Sequence, residues 1–505
     1  MVLQRILSTN GETQCIMPTP DLATAAPNTA APETVAPETV APETATPETA
    51  APQTAAHVSA SRATKIKPIA VDFNGGKLTS DSGAVLLQRV DQKIRLTERV
   101  NQIIADPRNP KFISHQQRDL IAQRIFAIAL GYEDVNDQAT LRKDPALLAA
   151  IKNNIDEELP LGAPSTISRL ENRMTDKEVT DLTKLLVEFY IESFDAPPEQ
   201  IIIDVDATDD TIHGNQEGKH FNGFYDDYCF LPLYFFCGAQ LLWSQLRTSK
   251  TGGNHGTLAI FHHLVTRIRQ AWPDVEIILR GDAGFYSPKL LDYCDRHGYK
   301  YVFGFASNSV LKKLSAKIVF ASEMFFVDAG SHESFRLFGE YEYQAKTWSH
   351  ARKIIVKAER LPDVNDRCGK ENTRYIVTNL EGDAKELYEE IYCARGDMEN
   401  RIKEQQRMLF ADRTSCHSFT ANRFRLFLSS CAYVLMETLR RTALSGTSMA
   451  KAQCSTIRVK LFKIAAVVTK SVRRILFSMP SVYPMRELWL KVFHWFEAGR
   501  PIPAD

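Results

Sequence analysis

Two adjacent prolines, Pro197 and Pro198, precede the part of the chain whose pattern most restricts its fold. Three apolar runs of strand character follow, and two further strand-like runs then come with a helical stretch before each. Three strands in succession are typical of a meander, and strands that alternate with helices are typical of layered α/β domains. The order βββαβαβ therefore predicts an α/β domain, with strands at 201–206, 230–236 and 241–246, a helix at 256–272, a strand at 275–279, a helix at 287–297 and a strand at 301–305.

The first 65 residues have a very different composition. Between 26 and 55 the chain repeats five-residue units such as APETV, with Pro at a fixed position and almost no apolar side chain larger than Val. Such a segment cannot bury enough surface to offset its chain entropy, and Pro biases it toward an extended, solvated conformation. We therefore predict a disordered region over 1–65, either a neutral extension or a functional tether.

Residues 66–195 are predicted to be mostly helical. The segment 117–130 places apolar residues at helical spacing. A second helix is predicted to begin near Pro164, because Pro suits the first helical turn and because Ser168 with Glu171 has the spacing of a capping box.

This second helix would project Arg169 and Arg173, four residues apart, from one face. The pair fits a recognition helix that contacts phosphates or base edges of DNA. It equally fits the solvated face of an ordinary helical bundle, so the local sequence leaves both interpretations open.

The remainder of the chain has two further regions. Residues 306–385 contain stretches of period two and predict a β-rich insertion, which a helix over 385–410 follows. Amphipathic helices are predicted over 413–505.

Charge is distributed unevenly along the chain. The whole sequence is neutral, with 61 basic and 61 acidic residues, yet residues 395–500 hold 19 basic and seven acidic ones. Among the basic residues, Arg473 and Arg474 are predicted to lie on an amphipathic helix that holds a phosphate backbone.

Several classes of protein are excluded by composition. The nine cysteines form no C-x-x-C pair, which argues against a zinc knuckle or a disulfide framework and fits a reducing cytoplasm. The longest uncharged stretch, 228–246, is interrupted by Pro232 and several polar residues, so we predict buried β-structure and no membrane span.

Four carboxylates stand where strands and a helix end or cross. Asp204 and Asp206 are two apart on a strand and share one face, Asp282 follows a later strand, and Glu399 lies on the helix over 385–410. Carboxylates in such a group suit Mg²⁺, a hard cation that prefers oxygen ligands. Two ions about 4 Å apart would support phosphodiester cleavage, with Mn²⁺ as a substitute.

Four motifs together resemble those of bacterial insertion-sequence transposases of the DDE type, from about residue 66 to about residue 486. The motifs are DVDATDDTIHG at 204–214, QEGKHFNGFYDDYCFLPLY at 216–234, ILRGDAGF at 278–285 and YCARGDMENRIKEQQ at 392–406. The resemblance implies an RNase H-like catalytic core over 196–305 and 386–412, with helical regions on both sides. It also implies that Asp206, Asp282 and Glu399 hold the metal ions, with Asp206 favoured over Asp204 because Ala-Thr follows it.

The same resemblance assigns DNA contacts on the late helix. Tyr392, Arg395 and Glu399 match the family signature Y-x2-R-x3-E, whose final Lys is replaced here by Gln406. Lys403 and Arg407 lie nearby and are predicted to keep a basic contact to the DNA end. Arg395 fits a phosphate clamp, and its alternative is an ion pair with Glu399 one turn later.

These features predict a DDE transposase that cleaves the inverted-repeat ends of its element and transfers the 3′-hydroxyl to target DNA. The helical region 66–195 is predicted to bind the ends, and a homodimer is expected because two ends must be joined. The predicted partner is double-stranded DNA, without a membrane, and the predicted location is the nucleoid in the cytoplasm. Two alternatives remain: an RNase H-like nuclease without end specificity, and an inactive DNA-binding protein derived from a transposase.

Overall fold

A computed structural model describes residues 71–498, except 331 and 364–365, and the side chains of 366–367 and 497–498 are not described. The predicted disorder of 1–65 lies outside these residues. The described residues form one nine-stranded sheet, two three-stranded sheets and helices packed around them. None of the described helices is both long enough and apolar enough to cross a bilayer.

The described part of 66–195 is helical, as predicted, apart from strand β1 (Leu78–Thr79). The predicted helices at 117–130 and from Pro164 are both confirmed. The capping box predicted from Ser168 and Glu171 is wrong, because Ala163 is the N-cap and a capping box forms instead one helix later. The helices are α1 (Ala84–Ile94), α2 (Leu96–Ile103), α3 (Gln117–Leu130), α4 (Gln138–Leu141), α5 (Pro145–Lys152), α6 (Pro164–Asn172), α7 (Asp176–Thr183) and α8 (Leu185–Ile191).

The predicted order βββαβαβ is confirmed by the long elements that follow. The expected strand 230–236 is broken at Pro232, because proline has no N–H for the ladder, and short strands precede it. The strands are β2 (Gln200–Ala207), β3 (Asp210–Thr211), β4 (Phe221–Asn222), β5 (Asp227–Phe230), β6 (Leu233–Cys237), β7 (Gln240–Gln245), β8 (Glu276–Gly281) and β9 (Lys300–Phe305), with helices α9 (Thr257–Ala271) and α10 (Pro288–His297) between the last three.

Strand β2 lies inside the large sheet. From one edge of this sheet, five neighbouring strands run in the order β7, β6, β2, β8, β9. It is antiparallel to β6 and parallel to β8, which is parallel to β9. Alternate residues of β2 face opposite layers. Ile201, Ile203 and Val205 pack in the core that contains α9 and α10, so Asp204 and Asp206 point to the other layer.

The segment 306–385 extends the same sheet. It begins with a helix that the period-two pattern did not predict, α11 (Ser309–Asp328), and its strands then continue the order from β9 through β13 and β11 to β10. Trp348, which follows β10, is 5% exposed and packs against Phe305 and Tyr343. The strands are β10 (Phe335–Tyr343), β11 (Arg352–Asp363), β12 (Asp366–Glu371) and β13 (Arg374–Thr378).

The single helix predicted over 385–410 is divided. Helix α12 (Ala384–Glu386) continues into a π-helical turn, Leu387–Tyr392, and a 3₁₀ turn, Cys393–Arg395, before α13 (Gly396–Leu409) begins. Because these turns change the number of residues per turn, the stripe expected from regular helical spacing is displaced at its N-terminal end.

The amphipathic helix predicted around Arg473 and Arg474 is wrong. Strands β14 (Ala466–Lys470) and β15 (Ile475–Ser478) form a hairpin there, since β-branched residues favour an extended chain. Strand β1 pairs with β14 and so joins the two ends of the described chain. The helices of this region are α14 (Phe419–Arg441), α15 (Cys454–Ile457) and α16 (Arg486–Ala498).

Glu171 ties the N-terminal helices to α14. Its side chain is buried and lies 3.1 Å from Arg124 Nε of α3 and 2.9 Å from Arg425 Nε of α14. One carboxylate therefore pairs with two guanidinium groups that have little access to water, and losing it would leave both without an ion-pair partner.

We expect Glu171→Ala to lower the free energy of unfolding by about 3–5 kcal/mol, because it strands two buried charges. Urea denaturation measures the change. Asp181→Ala is the matched control: it removes ion pairs with Lys177 and Lys184, whose side chains are 89% and 45% exposed. Its expected cost is below about 1 kcal/mol. Equal costs for the two variants would contradict the assignment.

Candidate active site

Asp206 and Asp282 stand at the ends of two neighbouring parallel strands. Strands β2 and β8 pair Asp204 with Arg280 and Val205 with Gly281. The next step of this register places Asp282 beside Asp206, because adjacent strands lie about 4.8 Å apart. The structure thus brings the first two predicted acids together.

Asp204 is held in an ion pair. Arg280 places its Nε 2.5 Å from Asp204 Oδ1 and its Nη2 2.8 Å from Oδ2, and both residues are buried. The third guanidinium nitrogen donates to the carbonyl of Ile391 in the π-helical turn. Both carboxylate oxygens of Asp204 are thus paired with Arg280, whereas Asp206 has no ion pair among the described residues.

The carboxyl group of Asp206 is destabilised in its charged form. Its pKa is raised to about 6, chiefly by burial and also by the charges of Asp282 and Glu399, against the lowering effect of Arg395 and of the Ala207 N–H, which lies 2.8 Å from Oδ1. Three carboxylates within electrostatic range of one another create a site that favours a positive ion.

Tyr392 and Arg395 approach the acids from the turns before α13. The Tyr392 hydroxyl passes over Gly304 of β9, where a Cβ atom would lie 2.6 Å from it. Arg395 lies over the Tyr392 ring, 5.5 Å from its centroid. Burial lowers the pKa of Arg395, but Tyr392, Asp282 and Asp206 raise it, and the net change is upward. Gly304 was not recognised in the sequence, because its partner lies some ninety residues later in the chain.

Glu399 lies on α13 with a half-exposed side chain. Its partner is Lys403, at 3.8 Å, and in the described part of the chain Arg395 has no carboxylate within 4.0 Å. The alternative interpretation, an ion pair between Arg395 and Glu399, is therefore wrong in this structure. Arg395 keeps its guanidinium available beside Asp206 and Asp282.

Gln406, the residue found where the resemblance led us to expect Lys, has a structural contact. Its amide donates to the Thr208 hydroxyl at 3.2 Å and to the Asp209 carbonyl at 2.9 Å. Helix α13 is thereby fastened to the loop that follows Asp206. Arg407, the next residue, is exposed.

The other predicted DNA contacts lie apart from the acids. Arg169 is exposed on α6, but Arg173 is half-buried, 3.5 Å from Asp106, and donates to Gln117. The two arginines therefore do not form one free surface. Arg473 and Arg474 are exposed at the tip of the hairpin formed by β14 and β15.

Two residues were not singled out in the sequence: Tyr225, which lies near the acids, and Arg247, which lies near Tyr225. The pKa of Tyr225 is raised to about 12, chiefly by burial and also by Asp209, Asp206 and Asp282. Arg247 is 6% exposed and donates to the carbonyls of Leu231, Gly253 and His255, while its Nη2 is buried without a hydrogen bond. The run FYDDY was the available signal for Tyr225, whereas Arg247 had none because its partners are backbone carbonyls.

The oxygen donors of the three acids fit a magnesium site, but their spacing is wide. Among the described residues, only Asp292, Asp295 and His350 bring three possible ligand atoms within 4.8 Å of one another. That group is already neutralised by Arg352, whose Nη2 lies 2.6 Å from Asp292 and 2.9 Å from Asp295. Asp206, Asp282 and Glu399 lie too far apart to bind one ion together in this structure. Two ions about 4 Å apart would span the wider spacing of these three carboxylates.

We expect Asp206→Asn to stabilise the metal-free protein at neutral pH. The folded-state pKa of about 6 exceeds the ordinary 3.8, so the stability present below about pH 4 is lost as the pH rises through 6. The variant removes a penalty of at most roughly 3 kcal/mol. Urea denaturation in EDTA at about pH 4 and about pH 7 measures the free energy of unfolding of both proteins. A variant no more stable than wild type at neutral pH would contradict the burial of Asp206 beside the other acids.

The sequence matches the family described as "Transposase DDE domain group 1" over residues 61–499. No curated protein matches it. One similar solved structure is a piggyBac transposase synaptic complex with hairpin DNA, at 12% identity and a TM-score of 0.36, covering 84% of this chain and 82% of that one. Because the family match spans most of the sequence, this protein belongs to the family of transposase DDE domains, group 1.

Proposed function

We propose that this protein is an active DDE transposase with an RNase H-like catalytic core. The observation that carries the proposal is the pair Asp206 and Asp282 at the ends of adjacent parallel strands, with α13 crossing beside them. Numbering the core strands 1 to 5 along the chain gives the sheet order 3-2-1-4-5, the arrangement expected of an RNase H-like core. The family match supports the same conclusion.

The three acids Asp206, Asp282 and Glu399 would hold two Mg²⁺ ions, for which Mn²⁺ could substitute. When bound, the ions supply an activated nucleophile and stabilise the leaving oxygen of a phosphodiester. Asp282 Oδ1 accepts a hydrogen bond from the Gly284 N–H at 2.7 Å, which fixes the orientation of its carboxylate. Asp206 is fixed in the same way by Ala207.

Arg395 and Tyr392 would position the DNA strand that is cut. A guanidinium beside the acids can bind a phosphate oxygen without displacing a carboxylate, because Arg395 has no ion pair with Glu399. The guanidinium of Arg395 also makes a cation–π contact with the ring of Tyr392. Lys403 and Arg407 would contact the DNA further along α13.

The reaction would cleave the inverted-repeat ends of an insertion sequence and transfer the 3′-hydroxyl to target DNA. Two ends require two active sites, so the active form would be a homodimer on double-stranded DNA. The half-exposed side chain of Glu399 fits a site that is completed when substrate and ions bind.

We expect purified protein with Mg²⁺ to cut a labelled DNA fragment that contains the sequences flanking its own gene, at two inverted ends. Asp282→Asn should reduce the cutting by at least about a thousandfold while leaving binding intact, since it removes one of the three carboxylates that would hold the ions. A gel of the reaction products measures cutting, and a gel-shift assay with the same fragment measures binding.

Asp292→Asn is the control, because it changes an acid of the group neutralised by Arg352. If Asp292→Asn abolished cutting and Asp282→Asn did not, the assigned site would be wrong. Cutting without end preference would favour an RNase H-like nuclease, and binding without cutting by wild type would favour an inactive derivative.

The hairpin tip is expected to contact the DNA backbone. Replacing Arg473 and Arg474 by Ala should lower the slope of log affinity against log salt concentration by about 2, because each phosphate contact contributes about 0.9. Fluorescence anisotropy over a salt series measures the slope. Lys346→Ala, an exposed basic residue in the insertion, is the control. An unchanged slope in the double variant would show that the hairpin does not contact the DNA.

A further inference from the structure

Arg247 carries a buried charge without an acidic partner in the described part of the chain. The residue is 6% exposed. Burial lowers the pKa of its guanidinium to about 10, and no carboxylate of the described residues offsets that effect. A buried guanidinium is costly unless its N–H groups are hydrogen-bonded, so the groups that Arg247 contacts indicate its role.

The guanidinium of Arg247 fastens two backbone segments to the end of β7. Its Nε donates to the Leu231 carbonyl at 3.0 Å, and its Nη1 donates to the carbonyls of Gly253 and His255 at 2.8 and 2.7 Å. The segment 251–256, which we call the glycine loop, precedes α9 and contains three glycines. Because glycine leaves the backbone unusually free, these two hydrogen bonds are important in fixing the loop.

The glycine loop packs against the turn that follows Asp282. A Cβ atom on Gly253 would lie 3.6 Å from the Gly284 carbonyl oxygen, so the two backbones are in contact. The Asn254 side chain donates to the Tyr286 carbonyl at 3.4 Å. The N–H of Gly284 in turn donates to Asp282 Oδ1 at 2.7 Å. The glycine loop therefore supports the turn that orients the Asp282 carboxylate.

We propose that Arg247 is a positioning residue for Asp282. By fixing the glycine loop, its guanidinium holds the turn 283–286 and with it the carboxylate that would bind the metal ions. A planar guanidinium directs its donors to three carbonyls at once, which the single ammonium group of a lysine does not reproduce. The inference deepens the proposed function, on which the metal-binding role of Asp282 rests.

Binding of Mn²⁺ to the full chain tests the inference without any cutting of DNA. We expect Arg247→Lys to weaken Mn²⁺ binding by at least about tenfold, because the charge remains but the support of Asp282 is lost. Electron paramagnetic resonance of free Mn²⁺ measures the affinity. Arg267→Lys is the matched control, since Arg267 lies on α9 and pairs with Glu188 of α8. An unchanged Mn²⁺ affinity in folded Arg247→Lys would overturn the proposal.

A purely structural role for Arg247 predicts a different result. It would lower the free energy of unfolding of Arg247→Lys, measured by urea denaturation in EDTA, and leave the Mn²⁺ affinity of the folded molecules as in wild type. If Arg247→Lys does not fold, Asn254→Ala decides, because Asn254 is exposed and its amide contacts the turn at Tyr286. Weaker Mn²⁺ binding by Asn254→Ala supports the proposal, and unchanged binding contradicts it.

Hydrogen exchange of the metal-free protein separates this inference from the proposed function. Arg247→Lys should speed exchange in the segment 283–286 by at least about tenfold relative to Arg267→Lys, because the turn opens more often once the glycine loop is released. Mass spectrometry follows the exchange. Mn²⁺ binding that persists in Asp282→Asn would reject the metal-binding role of Asp282 and leave this coupling standing. Exchange that Arg247→Lys does not change would reject the coupling alone.

Discussion

The buried ion pair between Arg280 and Asp204 organises the candidate site. One guanidinium joins two adjacent strands through Asp204 and a third element through the Ile391 carbonyl. The two strands carry Asp206 and Asp282 at their ends, and the third element leads into α13 with Glu399. Charges removed from water are costly unless fully paired, so this contact sets the relative position of the three elements that supply the acids.

The irregular turns before α13 have a comparable effect. A regular helix over 385–410 would place Tyr392, Arg395 and Glu399 on one stripe, but the π-helical and 3₁₀ turns displace the first two. Tyr392 reaches Gly304, and Arg395 faces the aspartates while Glu399 turns to Lys403. Such local departures from helical geometry are frequent at functional sites, because they re-aim side chains without breaking the element.

Charged side chains have partners of opposite charge or backbone carbonyls inside the protein, whereas like charges lie together at the candidate site. Inside, Glu171 joins helices from both ends of the chain, and Arg247 is satisfied almost entirely by backbone carbonyls. Near the surface, the acids of the site repel one another. The first kind of charge stabilises the fold, whereas the second raises the pKa of Asp206 and favours a positive ion.

The sequence by itself determined the order of the long strands and helices in the core and predicted the acidic set, because both depend on local patterns: β-branched runs, helical spacing and motifs of a few residues. It did not determine that Asp204 forms an ion pair with Arg280, that Arg173 forms one with Asp106, or that Arg473 and Arg474 lie on a hairpin. Those outcomes depend on partners far away in the chain. Only the tertiary structure decided them, because an ion pair or a strand pairing forms with whichever group the fold brings within reach.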